Sequence, residues 1–176
     1  MKKLSFMVAA ILVFASAPKV LMAAPAAMAV QAATEDVVDY TFDWTQQSAF
    51  NMWAPDAVKE NISVSAEDGL SVKNETATDF WSIQYMLGSN VPLLKGTDYS
   101  IKIVMKGSAA GHATVAMGSW GSFGTTGRVE FTDQYATYTL PYTSDYEGNG
   151  FILMQSGDFV GTISVKSIEV VHSEKA

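Results

Sequence analysis

The sequence predicts an all-β domain, a β-sandwich of the jelly-roll type with about ten antiparallel strands, preceded by a signal peptide. Three observations support this fold class. From Thr34 onward, no stretch keeps apolar residues at helical spacing for three turns. Apolar and polar residues alternate at period two in many short segments, and turn-forming residues separate these segments. A domain of roughly 140 residues buries about two thirds of its surface on folding, which suffices for one core between two sheets.

The clearest strand pattern lies at residues 98–106, where Tyr99, Ile101 and Ile103 share one face and polar residues lie between them. Turns are marked just as clearly, since Glu67-Asp68-Gly69 has the composition of a hairpin turn. The strands predicted in this way are 37–43, 58–65, 69–74, 79–87, 98–106, 111–119, 127–132, 135–143, 150–156 and 161–171.

The last predicted strand, 161–171, contains a change of phase. Val165 ends one alternating run, and Ile168 continues the same apolar face after a slip of one residue. Such a slip predicts a β-bulge near Lys166–Ser167.

Residues 1–33 have the order of a secretory signal peptide. A basic start precedes the apolar run Leu4–Ala15, which is shorter than the roughly 20 residues that span a bilayer. Cleavage after Ala29 or Ala32 fits the small-residue rule equally well. The alternative is an uncleaved membrane anchor, but Lys19 would then lie near the middle of the span. We therefore predict a secreted protein, extracellular or periplasmic, whose domain comprises residues 34–176 and does not insert stably in the membrane.

Charge and cysteine content exclude several classes of function. The chain has 11 basic and 18 acidic residues, a net charge of −7, and no cysteine. Removing residues 1–33 takes away three lysines and no acid, so the predicted domain carries −10. A chain of this charge repels phosphate, and we predict no nucleic-acid partner. The absence of thiols excludes disulfides, thiolate metal sites and a lipid-anchored cysteine.

Catalytic residues are sparse. Only His112 and His172 are present, the first at a turn edge and the second in a polar tail. Acids such as Asp79, Glu130 and Asp145 lie near predicted strand ends, where solvation is the usual reason for a carboxylate. We therefore predict that the protein is not an enzyme.

Aromatic residues give the strongest indication of a binding site. Trp120 lies in the glycine-rich segment 118–124, and Trp53 precedes the second predicted strand. Glycine neighbours cannot cover the indole ring of Trp120, and Trp53 lies outside the predicted strands, so both rings are expected to be partly exposed. Exposed rings beside amide side chains suit the apolar face and the hydroxyls of a sugar. The alternative for Trp120 is a loop residue folded back over the core.

Four segments, taken in order, resemble the strand motifs of carbohydrate-binding modules of the family 4/9/22 type. These modules are jelly-roll domains usually attached to bacterial glycoside hydrolases. The matching segments are WSIQY at 81–85, LKGTDYSI at 94–101, FTDQYATYT at 131–139 and FILMQSG at 151–157.

The resemblance implies a non-catalytic domain that binds a glycan chain in a cleft on one sheet. It also implies that Trp81, Gln84 and Gln155 line that cleft, although Trp81 alone is equally consistent with a core residue. Strict strand alternation would place Trp81 and Gln84 on opposite faces, so both can serve only if the strand bulges or Trp81 reaches the cleft from its rim.

Modules of this kind often hold a structural calcium between an early and a late acid. Here Asp43 provides the early acid, but Lys166 and Ser167 occupy the late positions. A lysine supplies no oxygen ligand, so calcium is doubtful and no cofactor is predicted. Lys166 can instead pair with Asp43.

The predicted function is non-catalytic binding of a polysaccharide or oligosaccharide in an aromatic-lined cleft, with Trp53, Trp81, Gln84, Trp120 and Gln155 as ligand contacts. Two alternatives remain open. A cell-envelope structural or adhesion domain would show a hydrophobic patch on the convex face. A small glycan-active hydrolase would need two carboxylates across the cleft.

Overall fold

Strands from two antiparallel sheets enclose a shared core, which confirms the predicted β-sandwich. The computed structural model describes residues 34–46 and 52–175, and the predicted signal peptide, residues 1–33, lies outside them. The described strands are β1 (Thr34–Asp43), β2 (Met52–Trp53), β3 (Ile62–Ser65), β4 (Gly69–Asn74), β5 (Gln84–Leu93), β6 (Asp98–Gly107), β7 (Gly111–Ser119), β8 (Ser122–Phe131), β9 (Ala136–Thr143), β10 (Gly148–Gln155) and β11 (Gly161–Lys175).

The six-stranded sheet has the order β3-β4-β11-β6-β9, with β1 also paired to β11. The five-stranded sheet has the order β2-β5-β10-β7-β8. Alternation along the strands fills the core from both sides: Ile101 and Ile103 of β6 are fully buried, and so are Ile152 and Met154 of β10. Non-polar burial of this kind is the main term that stabilises the sandwich.

The predicted bulge in the last strand is confirmed. The register of β11 against β6 shifts between Val165 and Ser167. Gly69 lies directly beside this bulge with φ +70°, and a Cβ there would be 2.2 Å from the Val165 carbonyl oxygen. Only glycine fits the β3–β4 turn, because this backbone conformation and this close approach both exclude a side chain.

The predicted strand 58–65 is wrong in its first half. Residues Asp56–Lys59 form the short helix α1, and β3 begins at Ile62. Pro55 has φ −56° immediately before the helix, and Asn61 donates a side-chain hydrogen bond of 2.8 Å to the helix backbone. These two local restraints favour a turn of helix over the apolar alternation.

Two other strand boundaries differ from the prediction. The strand predicted at 79–87 begins later than expected, at Gln84. Phe80–Ser82 form a 3₁₀ turn instead, and the Phe80 backbone oxygen accepts a hydrogen bond of 2.9 Å from the Gly157 N–H. The strand predicted at 127–132 begins earlier than expected, because β8 pairs with β7 from Ser122 onward. The glycine-rich segment is therefore mostly hairpin strand.

His172 is not in a polar tail, as the sequence suggested, but in the middle of the β1–β11 pairing. Its Nδ1 lies 2.7 Å from Oδ2 of Asp39, the residue skipped by a register shift in β1. Its ring packs edge-on against Tyr99, with 5.9 Å between ring centroids. The hydrogen bond to Asp39, more than any other contact, raises the pKa of His172 above its usual value.

The outer face of the six-stranded sheet carries a cluster centred on Tyr135. Its ring lies 4.5 Å from Lys106 Nζ and 4.2 Å from Lys166 Nζ, measured to the ring centroid. Its hydroxyl lies 2.9 Å from the backbone oxygen of Asp68, and the Asp68 carboxylate pairs with Lys106 at 3.1 Å. Burial and the Asp68 carboxylate raise the pKa of Tyr135 to about 12.

The suggested pair between Lys166 and Asp43 is wrong. Lys166 extends to the Tyr135 ring, and the Asp43 carboxylate accepts hydrogen bonds from the Thr45 backbone N–H (2.9 Å) and hydroxyl (2.6 Å). These hydrogen bonds lower the pKa of Asp43. The residues at this position do not fit a calcium site, because the late side chain is a cation that points into another cluster.

Candidate functional site

One row of residues crosses the whole five-stranded sheet in register. The cross-strand partners are, in order, Trp53, Gln84, Gln155, Thr114 and Arg128. Cross-strand neighbours on one face have their Cβ atoms about 5 Å apart, so these side chains form one continuous line. The prediction named three of the five positions in this row.

Two amide side chains lie at the centre of the row. Gln155 donates a hydrogen bond from Nε2 to Oε1 of Gln84 at 3.4 Å, and Gln84 donates from its own Nε2 to the Trp81 backbone oxygen at 2.7 Å. A backbone oxygen only accepts, so these two contacts fix which end of the Gln84 amide carries the N–H groups. Gln155 is buried and acts as a support for Gln84.

Trp81 is neither a strand residue nor a core residue. It belongs to the 3₁₀ turn Phe80–Ser82, and its side chain is 51% exposed. The alternation rule that set Trp81 against Gln84 does not apply, because β5 begins only at Gln84. Trp81 joins the row through its backbone oxygen. Its ring does not line the groove on the outer face of the five-stranded sheet.

A second row, next to the amide row, is apolar. Met86, Leu153 and Ala116 are cross-strand partners on β5, β10 and β7. Phe151 follows on β10, and together these residues form a small hydrophobic cluster on the outside of the sheet, separate from the main core. A central strand such as β10 therefore presents apolar side chains on both of its faces.

Trp120 lies at the tip of the β7–β8 hairpin. The loop consists of Trp120 and Gly121 between the paired residues Ser119 and Ser122, and Gly121 has φ +86°. A positive φ at the second loop residue requires glycine in a tight turn of this kind. The centroids of the Trp120 and Phe151 rings lie 4.4 Å apart, and Trp120 is still 74% exposed.

These residues form a groove of about 390 Å³ on the outer face of the five-stranded sheet. Trp53, also 74% exposed, and Trp120 lie on its walls, so the predicted exposure of both rings is confirmed. The groove is lined by Met52, Trp53, Gln84, Met86, Trp120 and Leu153.

None of the six lining side chains ionises. The charged residue in the amide row is Arg128, at its far end, and its Nε donates to Glu130 Oε1 at 2.6 Å. Charge in this part of the sheet is thus neutralised locally. An uncharged ligand is the chemical match for the groove.

Catalytic and metal-ion chemistry have less support in the geometry of the described residues. His112 Nε2 lies 2.8 Å from Asp158 Oδ2, but neither residue lines the groove. Within residues 34–46 and 52–175, no three His, Asp or Glu side chains come together as a metal-ligand set. In the same residues, no helix is long and apolar enough to cross a membrane.

Sequence reasoning missed the apolar part of the groove. Met52, Met86 and Leu153 line it, and Phe151 supports Trp120. A usable signal was present: residues 151–154 are apolar without alternation, which indicates a strand that is covered on both faces.

Solved structures of known proteins share the fold of this chain. The CBM1 domain of BiXyn10A, in its apo form, matches with a TM-score of 0.69 and 29% identity, over 77% of this chain and 98% of that one. The fold is that of carbohydrate-binding modules. A CBM22-1 xylan-binding domain from Paenibacillus barcinonensis Xyn10C matches with a TM-score of 0.57 and 15% identity, over 82% of this chain and 100% of that one.

A CBM4 structure matches with a TM-score of 0.50 and 17% identity, over 80% of this chain and 95% of that one. No protein-family model matches the sequence, and a search of curated proteins gives no match either. The resemblance to carbohydrate-binding modules, drawn from four sequence segments, is confirmed by the solved structures.

Proposed function

We propose that this protein is a non-catalytic carbohydrate-binding module that holds a polysaccharide or oligosaccharide chain in the groove of its five-stranded sheet. The observation that carries the proposal is the groove itself: two widely exposed tryptophans beside an uncharged amide row. Structural neighbours that are carbohydrate-binding modules support the same function.

In the proposed mechanism, Trp53 and Trp120 stack on the apolar faces of pyranose rings. Gln84, held in place by Gln155, forms hydrogen bonds to polar groups of the sugar. A stacked ring contributes on the order of 1 kcal/mol beyond its buried area. Several such contacts give an affinity of about micromolar to millimolar. Trp81 is proposed as an additional contact at the rim.

The alternatives have less support. A hydrolase of this size would need two carboxylates across the cleft, and the six residues lining the groove include none. A protein-binding adhesion domain would use an apolar patch on the other sheet. In the described part of that sheet, the outer hollow is lined mainly by serine, aspartate, lysine and threonine side chains.

The module works beside a glycoside hydrolase, on the same chain or on another. It is exported, with residues 1–33 as its signal peptide, and the mass of the exported protein will fix its first residue. It needs no structural calcium, because Lys166 offers no oxygen ligand.

The test is native affinity electrophoresis of the exported protein in gels that contain different neutral polysaccharides. We expect at least one polysaccharide to retard the protein, and the double variant Trp53→Ala/Trp120→Ala to lose about 100-fold in affinity for it. The matched control is Val160→Ala, which removes exposed apolar surface outside the groove. Migration unchanged by every glycan, or a double variant that binds as well as the control, contradicts the proposal.

A further inference from the structure

The floor of the groove has an unusual composition for a surface that is to contact hydroxyl groups. Met86 and Leu153 form it, next to the amide of Gln84 and beside the two exposed rings. A sugar hydroxyl placed over a thioether and a leucine loses its hydrogen bonds to water and gains no partner. This floor therefore favours a ligand that carries an apolar group at that point.

The polar side of the floor offers a ligand one hydrogen-bond donor. One N–H of Gln84 is taken by the Trp81 backbone oxygen, and its Oε1 accepts from Gln155. An amide nitrogen has two N–H groups, so Gln84 keeps one N–H for a ligand. A carbonyl oxygen can accept this hydrogen bond and, unlike a hydroxyl, it brings no O–H group that needs a partner of its own.

The lack of charge in the groove restricts the chemistry of the ligand further. No lining side chain is ionised, so neither a carboxylate nor an ammonium group on the ligand would find a counter-charge in the groove. A small neutral substituent that combines a carbonyl oxygen with a methyl group fits all three conditions, and an acetyl group is the simplest of this kind.

We propose that the groove recognises acetylated glycans, with the acetyl carbonyl accepting a hydrogen bond from Gln84 Nε2 and the acetyl methyl lying on Met86 and Leu153. This inference rests on the proposed glycan-binding function and names its substrate class. Both O-acetyl esters and N-acetyl amides offer the same carbonyl and methyl.

The first experiment measures affinity for matched pairs of glycans that differ only in acetylation. One pair is acetylated xylan and the same preparation after alkaline removal of its esters. The other pair is N-acetylglucosamine oligosaccharides and their deacetylated counterparts. We expect the acetylated member of at least one pair to bind about ten times more tightly, and the pair that shows this identifies ester or amide as the source.

The second experiment locates the recognition. Met86→Gln places a polar group of similar length on the floor, and Gln84→Glu replaces the N–H donor by an acceptor. Each is expected to bring the acetylated-to-deacetylated affinity ratio close to one, while Val160→Gln, an exposed position outside the groove, leaves the ratio unchanged. Thermal unfolding of each variant confirms that it is folded, and two substitutions on different strand positions keep the test valid if one of them unfolds.

The outcomes separate this inference from the proposed function. If deacetylated glycans bind as well as acetylated ones, or if the ratio survives both substitutions, acetyl recognition is wrong and glycan binding stands. If no glycan of any kind binds, the proposed function fails and this inference fails with it.

Discussion

The two outer faces of the sandwich differ in how their side chains are satisfied. On the six-stranded sheet, polar groups bind one another: Ser71 and Ser164 share a hydrogen bond of 2.9 Å, and Lys106 is held by Asp68 and the Tyr135 ring. On the five-stranded sheet, the groove leaves two tryptophans 74% exposed above an apolar row.

Both faces contain a hollow of similar size, about 430 Å³ on the six-stranded sheet and about 390 Å³ on the five-stranded sheet. Size therefore does not distinguish them. The first is lined largely by groups already engaged within the chain, and the second by groups that gain most from contact with another molecule. Surplus apolar surface, and not the presence of a hollow, distinguishes the face that carries the proposed site.

The largest effect is expected from a comparison of two neighbouring residues of β5 whose side chains lie on opposite faces of the five-stranded sheet. Leu87 and Met86 are neighbours on β5, but Leu87 faces the core and Met86 faces the groove. Leu87→Ala is expected to lower the free energy of unfolding by about 2–5 kcal/mol, because it leaves a cavity in a close-packed interior. Met86→Ala should cost about 1 kcal/mol or less in stability and weaken glycan binding. Urea unfolding and affinity electrophoresis check both, and equal destabilisation by the two variants would remove the distinction.

A smaller effect is expected on the opposite face. Tyr135→Leu removes the ring that lies between Lys106 and Lys166 and should lower the free energy of unfolding by about 1–2 kcal/mol. Tyr135→Phe keeps the ring and loses only the hydroxyl contact to Asp68, at a cost of about 1 kcal/mol. Neither variant should change glycan affinity. A loss of binding in Tyr135→Phe would show that the six-stranded face contributes to ligand recognition.

The pH dependence of stability provides the third test. Asp39 raises the pKa of His172 in the folded chain, so the folded state binds that proton more tightly than the unfolded chain does. The pair stabilises the fold fully below about pH 6.5, the usual histidine pKa, and this contribution is lost as the pH rises through the raised value. We expect the Tm of the parent protein to exceed that of His172→Gln by more at pH 6 than at pH 8.5.

The groups that face His172 are Asp39, Glu174 and the Tyr99 ring. A control with Asp39→Asn should show the same reduced pH dependence as His172→Gln. A Tm difference that stays constant from pH 6 to pH 8.5 would show that the pair does not hold a proton in this range. Glycan affinity is expected to be constant over the same interval, because the pair lies on the other sheet.

The smallest effect concerns salt. Because no lining residue is charged, raising the salt concentration from 0.05 to 0.5 M should change affinity for a neutral glycan by less than about two-fold. Affinity electrophoresis at the two salt concentrations measures this directly. A change of ten-fold or more would indicate that Arg128 or another nearby charge contacts the ligand.

The sequence was sufficient for the sandwich and most of its strands because alternation follows directly from burial on one face. It was also sufficient for the bulge after Val165, because a one-residue shift in the alternation indicates an extra residue in the strand. It failed at residues 56–59, where Pro55 and the Asn61 side chain impose a turn that alternation does not record. His172 was misplaced for a similar reason, because its partner Asp39 is distant in sequence and comes close only through the pairing of β1 with β11.

For the groove, sequence reasoning found the conspicuous residues and missed the inconspicuous ones. Trp53, Gln84, Trp120 and Gln155 were expected to act together, and the fold brings all four to one face. Met86 was missed because a methionine in a strand is normally assigned to the core. Which apolar residues of a strand face outward depends on the neighbouring strands, and that information is not local.

Strand β11 has a consequence for the timing of folding. It pairs with β1, β4 and β6, and the bulge after Val165 lies within its pairing with β6. All three partners precede β11 in the chain, so during synthesis the six-stranded sheet stays incomplete until residues 161–175 emerge. Contacts between residues so far apart in sequence form slowly. The sheet that holds most of the long-range pairings is therefore the last part of the domain to close, and the chain stays extended and accessible to other molecules until β11 is in place.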